Sequence, residues 1–345
     1  MFKKIILFTT AFAFVVVVVG ALVRLTNAGL GCPDWPGCYG QVTPAHAAHD
    51  IAQAVAEQGG THGPVSIQKA WHEMLHRYLA GTLGLLILCI TAMAWLQQRL
   101  WHSTHSTHST YSTQGVQSPW LASALLVLVI FQATLGMWTV TLALKPVIVT
   151  LHLLGGMATL ALLAWLALRQ LRLLAPGREA MPLRPWAVLG LALLAAQIAL
   201  GGWVSTNYAA LACIDLPTCH GEWAPKMDFQ HGFQLMRELG QTAAGDKLSY
   251  DALTAIHWTH RAGAVVTTLY LAWLALMAAR VQELRGIALA LGVLLAAQVT
   301  LGAGNILTGL NLVVAVGHNA GAALLLVTLV VLNFALSVGK GRNED

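Results

Sequence analysis

Four histidines of this sequence lie within apolar segments, where an imidazole is costly unless it binds something. They are His76, His152, His260 and His318. Each lies about one and a half to two turns into a segment long enough to be a helix, so all four are expected about 10 Å below one end of their helices. The alternative for any one of them is a hydrogen-bonded core residue, but four at matching depth indicate a ligand site.

The four histidines belong to an internal repeat. The segment Glu73-Met-Leu-His76-Arg77 corresponds to His257-Trp-Thr-His260-Arg261. Gln132-Ala-Thr-Leu-Gly136 precedes His152 by the same interval at which Gln298-Val-Thr-Leu-Gly302 precedes His318. Gly20, Cys32 and Cys38 likewise return as Gly201, Cys213 and Cys219. The sequence therefore predicts two duplicated halves, residues 1–175 and 176–345, with two histidines in each.

Two histidines inside a helix bundle suit a porphyrin better than zinc. Zinc usually takes four ligands, whereas haem iron needs two axial imidazoles and an apolar slot. We therefore expect one haem in each half. Arg77 and Arg261 each follow a histidine directly, and two roles are open for them: reaching lipid headgroups or pairing with haem propionates.

The halves differ at one informative position. Glu73 lies one turn before His76 on the same helix face, and His257 takes its place in the second half. A carboxylate in the membrane is a functional candidate, either as a proton acceptor or as a group that stabilises a developing cation. The structural alternative is an ion pair with Arg77. This difference predicts a reaction site in the first half and an electron-transfer site in the second.

The elements that must position these residues are membrane helices. The chain has 345 residues, of which 57% are hydrophobic and 10% charged, which excludes an ordinary soluble domain. No basic, aromatic-interleaved patch indicates nucleic-acid binding. Hydropathy predicts an all-α integral membrane protein with eight spans, at about 5–24, 71–96, 119–143, 147–171, 186–206, 253–279, 286–309 and 312–337. With four spans in each half, the two four-helix bundles should be related by a pseudo-two-fold axis along the membrane normal.

Basic residues outside the spans predict the orientation. The eleven that fall on one side of the predicted spans are Lys3, Lys4, Arg99, Arg169, Arg172, Arg178, Arg184, Arg280, Arg285, Lys340 and Arg342. By the positive-inside rule both termini are cytoplasmic. The long loops 25–70 and 207–252 then face outward, and no Arg/Ser-rich presequence precedes the first span, which favours a bacterial cytoplasmic membrane.

Three further patterns leave alternatives open. Cys32 and Cys38 are close enough to close a small loop in an oxidising compartment, as a structural disulfide or a redox-active one, and Cys213 with Cys219 is expected to be structural. Gln-x-x-Leu-Gly occurs on the third, fifth and seventh spans, either for close helix contacts or to line a ligand pocket. The His-Ser-Thr tract at 102–113 is expected to be a disordered linker.

Taken together, the eight spans in two halves, Glu-x-x-His-Arg on the second span, single histidines on spans four, six and eight, and the first cysteine pair resemble the haem A synthase family. The resemblance covers nearly the whole chain. It implies an enzyme that oxidises the C8 methyl group of haem O to a formyl group by successive hydroxylations and loss of water, giving haem A for terminal oxidases.

The resemblance also implies roles for individual residues. His260 and His318 would ligate a permanent haem b cofactor, His76 and His152 would hold the haem O substrate, and Glu73 would be the essential acid. Cys32 and Cys38 would form a disulfide in the first outer loop. Haem O synthase and an electron donor are the implied partners, and a homo-oligomer is left open. The main rival is a bis-histidine di-haem cytochrome b that carries electrons, and a transporter with parallel repeats is a third class.

Overall fold

The computed structural model describes residues 2–60, 62–104, 118–171 and 176–338, and within these ranges it is helical without a named strand. The α-helices are α1 Phe2–Leu25, α2 Ala48–Glu57, α3 Ile67–Thr104, α4 Pro119–Thr141, α5 Pro146–Arg169, α6 Arg184–Thr206, α7 Phe229–Gly232, α8 Tyr250–Ala279, α9 Arg285–Leu307 and α10 Leu312–Val338. Two short 3-10 helices, Arg178–Leu183 and Gln282–Leu284, precede α6 and α9.

Eight of these helices are long and apolar enough to cross a membrane, which confirms the predicted number of spans. The boundaries differ most at α3, which begins at Ile67 rather than near residue 71. Its first turns carry the polar residues Gln68, Lys69 and His72, which lower the hydropathy without breaking the helix. His76 therefore lies nine residues into its helix, deeper than the sequence predicts.

The ends of the long helices follow from local sequence. Proline occupies the first turn of α4, α5 and α6, where its missing N–H costs nothing. The α4–α5 turn places Ala143 and Leu144 at positive φ, and the α9–α10 turn places Gly309 and Leu310 there. These two short turns fold α5 back against α4 and α10 back against α9.

The long helices pack in two rings. In the first, α1 contacts α3 and α5, and α4 contacts α3 and α5; in the second, α6 contacts α8 and α10, and α9 contacts α8 and α10. The rings meet where α10 packs against α1 and α5, and where α5 packs against α6. One apolar core runs through both rings and includes Ile6, Leu160, Leu271 and Leu329.

Some of the predictions fall on residues outside the described ranges. They concern the His-Ser-Thr tract from residue 105 onward, and the basic residues Arg172, Lys340 and Arg342 that contribute to the predicted orientation. The other long inter-helix segments, 26–66 and 207–249, are described apart from residue 61. Both contain a cysteine pair and lie beside the first turns of α3 and α8.

Candidate histidine sites

Each of the four predicted histidines lies against a glycine of the neighbouring helix. A Cβ atom added to the glycine would lie 2.9 Å from Cε1 of the histidine for Gly20 and His76, and 3.1 Å for Gly136 and His152, Gly201 and His260, and Gly302 and His318. Ordinary carbon–carbon contacts are about 3.5–4.0 Å. A larger residue at any of these glycines would therefore require the imidazole to shift, and the same arrangement recurs at all four positions.

His76 on α3 and His152 on α5 face each other. Their ring centroids are 6.4 Å apart and the ring planes are nearly perpendicular, at 85°. Both rings are partly exposed, but the Nδ1 atom of each is buried and has no hydrogen-bond partner. With metal–nitrogen bonds of about 2.0–2.1 Å, one metal ion fits between two imidazoles at this spacing.

His260 on α8 and His318 on α10 form the second predicted pair. Both imidazoles are partly exposed. Among the described residues, no group of three or more histidine, cysteine or acidic side chains is placed to hold a metal ion. The facing rings of His76 and His152 supply the two imidazoles that axial ligation of a porphyrin requires, and His260 with His318 stays a predicted pair.

The glutamines of the Gln-x-x-Leu-Gly segments contact the histidines. Nε2 of Gln197 lies 3.0 Å from both Nδ1 and the carbonyl oxygen of His260, and Nε2 of Gln298 lies 3.3 Å from Nε2 of His318. Gln132 donates to the carbonyl oxygen of His152 at 2.6 Å. The glycines of these segments thus allow close helix contacts, and their glutamines reach the histidine positions; the expected role of lining a ligand pocket stays a prediction.

Glu73 is buried and both of its oxygens accept hydrogen bonds. Oε1 pairs with Arg77 at 2.5 Å, and Oε2 accepts the backbone N–H of Cys32 at 3.0 Å. His257, at the corresponding place on α8, accepts the N–H of Cys213 on its Nδ1 at 3.2 Å. The ion pair that the sequence offered as the structural alternative is therefore present, and Glu73 also anchors the first cysteine loop.

Arg77 and Arg261 both donate to carbonyl oxygens of the cysteine loops. Arg77 donates to Asp34 at 2.8 Å and to Gly37 at 2.5 Å. Arg261 donates to the carbonyls of Asp215, Thr218 and Cys213 at 2.6–2.8 Å. Nε of Arg261 is buried without a hydrogen-bond partner. These contacts give the arginines a loop-holding role, and their pairing with propionates stays a prediction.

Both cysteine pairs form disulfides. The S–S distances are 2.06 Å for Cys32–Cys38 and 2.01 Å for Cys213–Cys219. These bonds fix the small loops above α3 and α8, and Cys32 and Cys38 are fully buried. A fixed disulfide here agrees with the structural role, whereas a redox role stays a prediction.

A carboxylate closes each disulfide loop. Asp34 accepts the N–H groups of Tyr39 and Gly40 at 2.6 and 2.7 Å, and Asp215 accepts those of His220 and Gly221 at 2.7 and 2.9 Å. Hydrogen bonds from Thr218 and these N–H groups hold the pKa of Asp215 well below its usual range. The aspartates were missed as functional candidates; their signal is the equal spacing from each first cysteine.

The chain is similar to known proteins over nearly its whole length. The model of the family COX15-CtaA, described as cytochrome oxidase assembly protein, matches residues 3–330. A protein of Shewanella oneidensis named Heme A synthase is 40% identical over 95% of this chain and 94% of its own length. Two others with that name, from Rhizorhabdus wittichii and Halalkalibacterium halodurans, are each 26% identical over 94% of this chain and over 90% and 94% of their own lengths.

Proposed function

This chain belongs to the COX15-CtaA family of cytochrome oxidase assembly proteins, and we propose that it acts as a haem A synthase. The reaction oxidises the C8 methyl group of haem O to a formyl group by successive hydroxylations, after which loss of water leaves the aldehyde. The observation that carries the proposal is the similarity to the Shewanella protein named Heme A synthase, which extends over nearly the full length of both chains.

The two histidine pairs are the proposed haem sites. We assign His76 and His152 to the haem O substrate, and His260 and His318 to a haem b cofactor. Three features support ligation at these positions: the glycine facing each ring, the buried and unpartnered Nδ1 atoms of His76, His152 and His318, and the 6.4 Å spacing of the first pair. When bound, haem iron supplies one-electron transfer and oxygen chemistry that no side chain provides.

Glu73 is the proposed catalytic acid–base residue of the first site. It lies one turn before His76 on α3, and its two oxygens accept hydrogen bonds from Arg77 and Cys32. A carboxylate held in this way can stabilise positive charge that develops beside it. A carboxylate has about four acceptor sites, so these two hydrogen bonds leave it able to accept a proton as well. His257 replaces it in the second half, which suits a site that transfers electrons only.

The loops have the role of holding the first turns of α3 and α8 in place. Arg77 donates hydrogen bonds both to the first disulfide loop and to Glu73, so it links this loop to the reacting site. Arg261 bonds the second loop through three carbonyl oxygens. We propose that the propionate groups of each porphyrin lie toward these arginines. N–H groups that have no other partner, such as Nε of Arg261, would donate hydrogen bonds to the propionates.

We propose that the two rings of helices are duplicated four-helix halves, 1–175 and 176–345, related by an axis along the membrane normal. The matching contacts of the glycines, arginines and cysteine amides support this arrangement. The chain is a multi-pass membrane protein with bacterial relatives, and we place it in the cytoplasmic membrane with both termini inside. The disulfides support an outward position for the cysteine loops, because such bonds persist in oxidising compartments.

Haem content tests the proposed function. The protein is purified from cells that make haem O, and its haems are extracted in acid-acetone and separated by chromatography. Haem B together with haem O, haem A or a hydroxylated intermediate is the expected result. Two haem B per chain and nothing else would refute the proposal in favour of a di-haem electron carrier. We propose haem O synthase and an electron donor as the partners.

A further inference from the structure

Three of the four histidines share a supporting pair of residues on the two helices that meet there. The first residue of the pair is a glutamine, one turn before the glycine that faces the histidine ring. The Oε1 atom of this glutamine lies against a second glycine, which is on the helix of the histidine and three residues after it. The pairs are Gln132 with Gly155, Gln197 with Gly263, and Gln298 with Gly321. In each, a Cβ atom on the glycine would collide with the glutamine amide, so glycine is what admits the glutamine.

The fourth histidine, His76, has an apolar pair instead. Val16 lies one turn before Gly20, where the other sites have glutamine, and Leu79 lies three residues after His76, where they have glycine. Val16 is buried in the apolar core and Leu79 packs against that core. No amide group is available at these two positions.

The amide support therefore differs between the two halves. In the second half, glutamine amides contact both imidazole rings, of His260 and His318. In the first half, Gln132 contacts only the backbone carbonyl of His152, and His76 has no glutamine. Partners in the second shell fix the orientation and basicity of a histidine ligand, and losing one typically costs 10–100-fold in metal affinity.

We propose that these glutamine–glycine pairs are positioning pairs that make one haem permanent, and that the Val16–Leu79 pair makes His76 the ligand that releases the iron when substrate and product exchange. This inference rests on the proposed function, because it requires a haem at each histidine pair. It assigns a physical basis to the different fates of the two haems: glutamine amides contact both axial rings of the second site and neither ring of the first, where His76 also lacks the glutamine–glycine pair.

Installing the missing pair tests the inference. The variant Val16→Gln/Leu79→Gly gives His76 the arrangement found at His260, and Val16→Met/Leu79→Gly is the matched control with a side chain of similar size but no amide. Haem loss from the purified, haem-loaded protein is followed by transfer to excess apomyoglobin. We expect the glutamine variant to lose haem from the first site about ten-fold more slowly than the methionine control. Equal rates in the two variants would overturn the inference.

If the glutamine variant does not fold, a reciprocal variant tests whether the glutamine amide slows haem loss. Gln197→Met removes the amide at His260 and keeps Gly263, and it should speed haem loss from the second site about ten-fold. An unchanged rate would overturn the inference. His152→Ala and His318→Ala assign the two phases of haem loss to their sites. If neither abolishes a phase, the ligand assignment of the proposed function fails, which is a separate outcome from unchanged rates.

Discussion

The contact between Gly20 and His76 yields a quantitative prediction. A methyl group at residue 20 would lie 2.9 Å from Cε1 of His76, whereas ordinary carbon–carbon contacts are about 3.5–4.0 Å. The ring must therefore move by about 0.6 Å or more in Gly20→Ala. Functional groups have to be held within about 0.5 Å of their productive geometry. We expect haem to bind the first site about ten-fold more weakly, a loss of ~1.4 kcal/mol.

The matched control is Gly81→Ala on α3, five residues after His76. A Cβ atom there meets nothing within 4 Å. Both substitutions replace a helical glycine, so both gain a similar helix propensity of about 1 kcal/mol. The difference between the two variants therefore isolates the collision with the imidazole. Gly201→Ala is a further comparison, because its Cβ atom would lie 3.1 Å from His260 and would act on the second site.

The assay is titration of haem into the haem-depleted protein, followed by absorbance and by the haem-to-protein ratio. Gly81→Ala should bind like the unaltered protein, and Gly20→Ala should retain full affinity only at the second site. Equal affinity of Gly20→Ala and Gly81→Ala at the first site would refute the reasoning, since it would mean that the position of the His76 ring does not govern binding.

Three other predictions follow from the same sites. Glu73→Gln should abolish formation of haem A while haem b stays bound, measured by chromatography of extracted haems, and full activity would remove Glu73 from the mechanism. His318→Ala should lose the haem b spectrum, and an unchanged spectrum would overturn that ligand assignment. The hydrogen bonds that lower the pKa of Asp215 stabilise the second cysteine loop as long as its carboxylate is ionised. This stabilisation is complete above about pH 4, the ordinary range of a free carboxyl. It is lost as the pH falls through the lowered pKa. Protection of the Gly221 amide, measured as its hydrogen-exchange rate relative to the intrinsic rate at each pH, should therefore fall only well below the pKa of a free carboxyl, and Asp215→Ala should lack this protection at every pH; equal protection in the two proteins would contradict the assignment.

The sequence was informative where a property depends on composition along the chain. Eight spans were predicted and eight are found, because a membrane helix needs about 20 apolar residues and little else. The errors lie at the polar first turns of α3 and in the short helices α2 and α7. Hydropathy cannot register these, since a helix outside the bilayer is stabilised by its own hydrogen bonds and by loop contacts.

Site residues show a similar division. The repeat identified the histidines and the exchange of Glu73 for His257, since both are patterns of residue type and interval. It did not predict that Glu73 and His257 each accept the first cysteine amide of their loop, or that the two arginines bond loop carbonyls. Those contacts join residues about 40 positions apart, and their partners are backbone atoms that every residue possesses.

By itself, then, the sequence determined the membrane character, the number of helices and which residue types recur at equal intervals. Tertiary structure alone decided that Gly20 faces His76 and that Gln197 reaches the ring of His260. The physical reason is that hydropathy and periodicity are properties of one helix. The contacts of an imidazole, in contrast, depend on how closely two helices approach, and that distance is set by side chains on both.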